Sequence, residues 1–455
     1  MNSIKTPVCA VFDVGKTNKK VLVFDQHYTL LHEDQTPFTE ITDDDGFHCD
    51  DLHRLTDWVR DTYQWLLAQP QWSLRAVNVS AYGASLVHLD AQGQPIAPLY
   101  NYLREFPRDL HGRFFEQYGP VDQFCAQTAS PDLGMLNSGL QLYWLKHTKP
   151  ALFGQIAHSL HLPQYIAYLL TGQPVSEITS VGCHTALWDF SQNTYHDWTG
   201  REGLSALCQP PLPSMTSFTL DNGVVAGIGM HDSSAALVPY RRAFAEPFAL
   251  LSTGTWAVSM NPFNDEPLTV DELRQDCLCY LGYDGKPVKA SRLFAGNEHE
   301  RHVRHLADYF HVDLNTFRQV RYDAALMQRV QAQFQQPKPA DTYLTDLRES
   351  PFVERNLNAF TTYEEAYHQF MLDLIAQQLA SLQLAIGGSG IRNVYVDGGF
   401  SRNDVFMWGL AAALPHCRLQ ASEVAQASAL GTALVLHDHW NPIPFDAGAI
   451  RLVGY

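Results

Sequence analysis

Positive charge is scarce in this sequence: 31 lysines and arginines face 48 aspartates and glutamates, a net charge of −17 over 455 residues. So acidic a chain is a poor partner for nucleic acid or an anionic membrane, and any anion site in it must be built locally. Long apolar runs are missing too. No stretch of about 18 apolar residues is present to span a bilayer. The opening MNSIKTPVCAVFD lacks the apolar core of a signal peptide. The eight cysteines are scattered, with Cys277 and Cys279 as the one close pair. That excludes a zinc ribbon or a disulfide framework and leaves a reduced, cytoplasmic protein as the expectation. Charged residues make up 17% and hydrophobic ones 45%, which excludes disorder and supplies a sizeable core. At roughly 100–200 residues per domain, the length predicts two to four domains.

Two familiar motifs are approached and missed. Gly15-Lys16-Thr17 looks like the end of a nucleotide-binding P-loop, but the first glycine of that motif is replaced by Ala10. The turn also leads into a second strand, Val21–Phe24, where a P-loop leads into a helix. His299, His302 and His305 approach a metalloprotease helix, but His299-Glu300-Arg301-His302 is one residue short of H-E-x-x-H. The alternating charges around it predict a solvated or cleft-edge helix.

The remaining pattern alternates strand and helix, as expected of an α/β protein with a mixed sheet. Strands are predicted at Val8–Phe12, Val21–Phe24, Ala76–Ser80 and Leu86–Leu89, and helices at His53–Leu67 and Gly139–Leu145. Ile156–Leu170 reads as a buried helix interrupted at Pro163. The polar, turn-like Pro239–Pro247 predicts a domain boundary. Beyond it, FALLSTGTWAVSM (Phe248–Met260) fits the same strand–glycine turn–strand template as VFDVGKTNKKVLVF (Val11–Phe24). An internal duplication is the reading: two similar domains, each presenting a hairpin to a shared cleft. A helix at Tyr363–Ile386 stops at Gly387-Gly388. Next come a strand at Val394–Val396, a turn at Asp397-Gly398-Gly399, a helix at Asn403–Leu414 and a glycine-notched helix at Ala425–Leu436.

These turns suggest phosphate chemistry. A glycine turn between strands offers oriented N–H groups at little steric cost. The first turn adds Lys16, Thr17, Asn18, Lys19 and Lys20. Asp13, at the strand end, suits Mg²⁺, directly or through water. The second offers Thr253, Gly254 and Thr255, whose hydroxyls suit phosphate oxygens without net charge. The third offers Gly398 and Gly399 before a helix start at Asn403. Phosphoryl transfer further needs a base for the attacking hydroxyl. Asp232, in GMHDSSAAL near the predicted boundary, has that chemistry and is also a natural helix N-cap.

Taken together, these segments resemble the FGGY family of sugar kinases, of the actin–Hsp70–hexokinase ATPase fold, over nearly the whole chain. The resemblance implies two similar actin-like (ribonuclease H-like) α/β domains around a central cleft, with residues 1–241 binding sugar and 242–455 binding nucleotide. It implies ATP and Mg²⁺ as cofactors and Asp232 as catalytic base. Gly15, Lys16, Thr17, Asn18, Lys19, Thr253, Gly254, Thr255, Gly398, Gly399 and Asn403 would line the ATP site, with ASALGTAL (427–434) closing the adenosine pocket. HDSSAAL, LSTGTW and HLPQYIAYLLTGQPVSEITS are most similar to the rhamnulokinase and L-fuculokinase branch. In that branch His231 and Asp232 match the pair that touches the sugar, and Gly83, Ala84 and Ser85 match the sugar-binding turn. Rhamnulokinases have Gly-Val-Asp at this turn, and Gly-Leu-Trp where this chain has Gly296-Asn297-Glu298. The expected substrate is therefore a ketose: L-rhamnulose, L-fuculose or a ketopentose such as xylulose. Trp256, beside the second hairpin, is a candidate for stacking on the sugar. The acidic run Asp43-Asp44-Asp45 reads as a loop surface. The rival expectation is an actin- or Hsp70-like nucleotide-driven assembly or binding protein. The partner is expected to be a small sugar, with no nucleic acid and no membrane, and the protein a monomer or homodimer.

Overall fold

A computed structural model describes residues 5–333, 350–424 and 426–455. It divides into two compact units, one of residues 1–244, 279–287 and 425–448, the other of 245–278, 288–424 and 449–455.

The first unit is built on a mixed sheet. Its strands run Ser217–Thr219, Val225–Gly227, Trp72–Ala81, Thr6–Val14, Asn18–Asp25 and Leu30–Pro37, and Met230–His231 also pairs with Trp72–Ala81. Thr6–Val14 is parallel to Trp72–Ala81 and antiparallel to Asn18–Asp25. Alternation along it sends Val8, Ala10, Phe12 and Val14 into one core. That core is closed by the helix Leu52–Ala68, which buries Leu55, Val59 and Leu66 and is N-capped by Asp51. The odd positions of the strand, including Asp13, face the other way.

The second unit repeats this plan. Its sheet runs Cys277–Leu281, Pro287–Leu293, Ala257–Asn261, Phe248–Thr253, Asn393–Gly398, Arg418–Ser422 and Leu452–Gly454. Phe248–Thr253 is antiparallel to its hairpin partner and parallel to Asn393–Gly398. Three antiparallel neighbours followed by two parallel strands occur in the same order in both sheets, as the predicted duplication requires. The helix Tyr363–Ile386, capped by Thr362, packs Phe370, Met371 and Leu374 against Val394 and Val396.

Three local expectations change. Residues 156–170 are not one helix: His158–His161 is a strand paired with Leu86–Leu89, and Pro163 opens the helix Leu162–Thr171. Proline is tolerated in a first turn because its missing N–H would have no partner there. Pro239–Ala243 is not a turn but the end of the helix Asp232–Ala243, held by buried Leu237, Val238 and Tyr240. Asp43 is not loop surface. It is buried under an ion pair with Arg104 (3.0 Å), while Asp44 and Asp45 pair with Lys149. Ala425, the first residue of the predicted last helix, lies outside the described residues; the helix itself runs Ala427–Val435. No helix of the described residues is long and apolar enough to cross a membrane.

Candidate active site

In the first unit Asp13 stands one residue before the end of its strand, opposite Lys20 on one side and Ser80 on the other. Its Oδ1 accepts from the Ser80 hydroxyl at 2.7 Å, and Ser428 Oγ lies 3.3–3.4 Å from both carboxylate oxygens. Burial raises the Asp13 carboxyl above the ordinary range; the Ser80 hydrogen bond opposes this and the charge of Asp232 adds to it. A half-buried carboxylate with a second one nearby favours a cation. The donor set therefore fits Mg²⁺.

The hairpin lysines do something else. Lys19 is 1% exposed, with its ammonium on Asp50 (2.9 Å) and the Lys16 carbonyl (3.0 Å). Lys16 reaches Asp50 at 2.7 Å and Glu40 at 3.0 Å, and Tyr82 also donates to Asp50 at 2.7 Å. Lys19, expected on a phosphate, is thus a buried structural cation. Lys16 is shared between two carboxylates. Gly15 closes the turn by donating to the Asn18 carbonyl (2.9 Å), with Thr17 exposed beyond it. Asp50 is the residue that the sequence reading missed. Nothing local marks it, because its partners are more than 30 residues away.

The structure brings Gly83, His231 and Asp232 together. A Cβ on Gly83 would lie 2.9 Å from His231 Nε2 and 3.0 Å from its Cδ2, so only glycine leaves the imidazole where it is. Ala84 holds a left-handed backbone (φ 61°), and its carbonyl is tied to Gln141. Ser85 is buried and its carbonyl accepts from Leu162. His231 is buried, which lowers its pKa to about 4 and keeps it neutral. Its Nε2 lies 3.5 Å from both Cys183 Sγ and Asp232 Oδ1. Asp232 is the first residue of the helix Asp232–Ala243, and its Oδ1 accepts from the Ser233 amide at 2.6 Å. Surrounding protein pushes its carboxyl up to about 6, against the pull of the Ser233 hydrogen bonds. About a third of the side chain (34%) still meets solvent. A carboxylate so placed can accept a proton near neutral pH. The helix Ala427–Val435 crosses Asp232–Ala243 so closely that a Cβ on Gly431 would lie 1.8 Å from the Ala235 carbonyl.

In the second unit the two glycine turns interlock. A Cβ on Gly398 (φ 79°) would lie 1.8 Å from the Thr253 carbonyl, which also accepts from Gly399 N–H at 2.8 Å. The Thr253 hydroxyl donates to the Asp397 carbonyl and accepts from Phe400 N–H at 3.0 Å. Thr253 is therefore a clasp between turns, buried and fully engaged, while Gly254 and Thr255 are exposed. Beside them is a cavity of about 540 Å³, lined by Gly254, Gly296, His299, Phe317, Phe400 and Asn403, with Arg318, Arg321 and Arg402 also on its wall. Its size and its mix of apolar wall and cations suit a nucleotide. Asn403 caps the helix Asp404–Ala413 and donates to Tyr367 OH (2.7 Å), which also meets His299 Nε2 at 3.0 Å. His299 is a neutral wall residue, its pKa lowered to about 4 by burial. His302 is buried against Glu298 (3.4 Å), so this helix is amphipathic and not solvated all round. ASALGTAL is not part of this wall; it belongs to the first unit and touches Asp13 through Ser428. Trp256 also belongs to the second unit. It is 44% exposed and packs against Phe294 with the rings tilted (4.4 Å between centroids).

Comparison with known proteins finds one family in both halves of the chain. Residues 8–199 match the N-terminal domain of the FGGY family of carbohydrate kinases, and 245–443 match a C-terminal domain of carbohydrate kinase FGGY. Among solved structures, the chain is similar to a carbohydrate kinase from Novosphingobium aromaticivorans (TM-score 0.78, 24% identity, 98% of this chain and 95% of that one). It is also similar to xylulose kinase from Rhodospirillum rubrum (0.74, 17%, 98% and 93%) and gluconate kinase from Lactobacillus acidophilus (0.72, 15%, 99% and 93%). At these identities the likeness shows a shared fold.

Proposed function

From the premise that the chain belongs to the FGGY family, and so is an ATP-dependent carbohydrate kinase, we propose that it transfers the γ-phosphate to a terminal hydroxyl of a ketose, with Asp232 as general base. The observation that carries this reading is the Gly83–His231–Asp232 constellation. A carboxylate raised to about 6 stands beside a neutral imidazole and a glycine that keeps the space open. In it Asp232 accepts the hydroxyl proton as the oxygen attacks phosphorus. His231 and the turn Gly83-Ala84-Ser85 orient the sugar. Gly254 and Thr255 meet the γ-phosphate, Thr253 holds their turn, and the cavity beside Asn403 takes the nucleoside. Asp13 would hold Mg²⁺, directly or through water, and the ion would supply charge neutralisation for the phosphates.

The substrate is L-rhamnulose, L-fuculose or a ketopentose such as xylulose. Similarity of the segments around His231 and Ser176-Glu177 supports the deoxy-ketoses. Likeness to xylulose kinases supports a ketopentose as the alternative. The enzyme is a cytoplasmic monomer or homodimer whose partner is the sugar. An Asp232→Asn variant is expected to lose most sugar phosphorylation while still binding ATP. Retained phosphorylation in it would defeat the assignment.

A further inference from the structure

Glu177 is fully buried and is not among the residues proposed to touch sugar or nucleotide. It caps the short helix Ile178–Val181. Its carboxylate accepts from the amides of Thr179 (3.0 Å) and Ser180 (2.9 Å), the Thr179 hydroxyl (2.8 Å) and the Ser214 hydroxyl. All four donors are neutral. Serine or asparagine caps a helix without a charge to desolvate, so capping alone gives no reason for a carboxylate here.

Thr179 supplies one. A hydroxyl has a single hydrogen, and with it donated to Glu177 the oxygen's lone pairs are left to face a donor. That donor is the main-chain N–H of His231, 3.0 Å away. His231 ends the short strand paired with Trp72–Ala81, and the next residue is Asp232. Four residues after Thr179, Cys183 meets the imidazole of the same histidine at 3.5 Å. One segment, 177–183, therefore grips His231 at both main chain and ring.

We infer that Glu177 is a positioning residue for Asp232: by fixing the Thr179 hydroxyl it anchors the main chain at His231, and hence the place where the Asp232 carboxylate meets the acceptor hydroxyl. This rests on the reading of Asp232 as proton acceptor. No proton moves along the chain of bonds; the carboxylate only sets the direction of the hydroxyl. Glutamine at 177 exchanges one carboxylate oxygen for an NH₂ and can no longer accept from all four donors; with that NH₂ facing the Thr179 hydroxyl, the hydroxyl hydrogen turns away and its hold on the His231 amide loosens.

The test is steady-state kinetics of the full-length protein and its E177Q, T179V, T179S, E177Q/T179V and D232N variants, on the ketose that the wild type turns over fastest. E177Q and T179V are expected to lower kcat roughly ten- to a hundredfold, the scale of a misplaced catalytic group, with KM for ATP unchanged. The double variant should be no slower than T179V alone, because both changes break one chain. T179S, which keeps the hydroxyl, should retain wild-type kcat. Wild-type kcat in T179V beside an inactive D232N would overturn the inference alone, as would losses that multiply in the double variant. Wild-type turnover in D232N would instead overturn the reading of Asp232 beneath it. If E177Q does not fold, the T179V and T179S pair still decides.

Discussion

Asp232 is held in an environment that disfavours its charge, so neutralising it should stabilise the fold while stopping turnover. Its carboxyl is raised from the ordinary 3.8 to about 6 by the surrounding protein. The native state then binds more protons than the unfolded chain between these values, so stability falls as pH rises through that window. Below it the penalty vanishes; above pH 6 it is fully present. Taken at face value the rise is worth about 3 kcal/mol. With about a third of the side chain in solvent, screening reduces this to roughly 1–2 kcal/mol. Asp232→Asn, which removes the charge and keeps the shape, should therefore melt a few degrees higher than the wild type at pH 7.5, about 2–4 °C per kcal/mol in a unit of this size. The gain should shrink toward zero by pH 4. The assay is thermal unfolding of both proteins from pH 4 to 8, without nucleotide or magnesium. An asparagine variant that is less stable than the wild type at pH 7.5, or whose difference does not change with pH, would refute the reasoning.

Other perturbations act on single contacts. Gly83→Ala puts a methyl 2.9 Å from His231 Nε2; overpacking of this kind costs about 1–3 kcal/mol, and kinetics should show a raised KM for the sugar with KM for ATP unchanged. Asp50→Ala strands the buried Lys19 ammonium, and urea denaturation should show a loss of about 3–5 kcal/mol. Gly398→Ala combines a left-handed backbone with a Cβ 1.8 Å from the Thr253 carbonyl, so a loss above about 4 kcal/mol, or failure to fold, is expected in the same measurement.

The features legible in the sequence are those that depend on neighbours in the chain. The turn at Gly15 could be told from a P-loop because Val21–Phe24 reads as a strand, and the repeat of that hairpin at Gly254 announced the repeated sheet order. Pro163 and Pro239 were harder. The first looks like a break but opens a helix. The second lies inside a helix held by burial of Leu237, Val238 and Tyr240, where packing outweighs propensity. The lysines after Gly15 read as phosphate cations because Asp50, the carboxylate that engages Lys16 and Lys19, is more than 30 residues away. The Thr253 hydroxyl read as free because its partners, Asp397 and Phe400, are about 145 residues distant. Residue type gave the chemistry of each group; only the fold shows which groups are already engaged.

The most direct test of the central claim is ADP release by the wild-type protein with Mg²⁺–ATP over a panel of ketoses, aldoses and polyols, then by Asp232→Asn with the best sugar. The prediction is one ketose well ahead in kcat/KM, with turnover lost in the variant. Slow ATP hydrolysis that no sugar accelerates, or a preferred sugar that the variant phosphorylates as fast as the wild type, would contradict it.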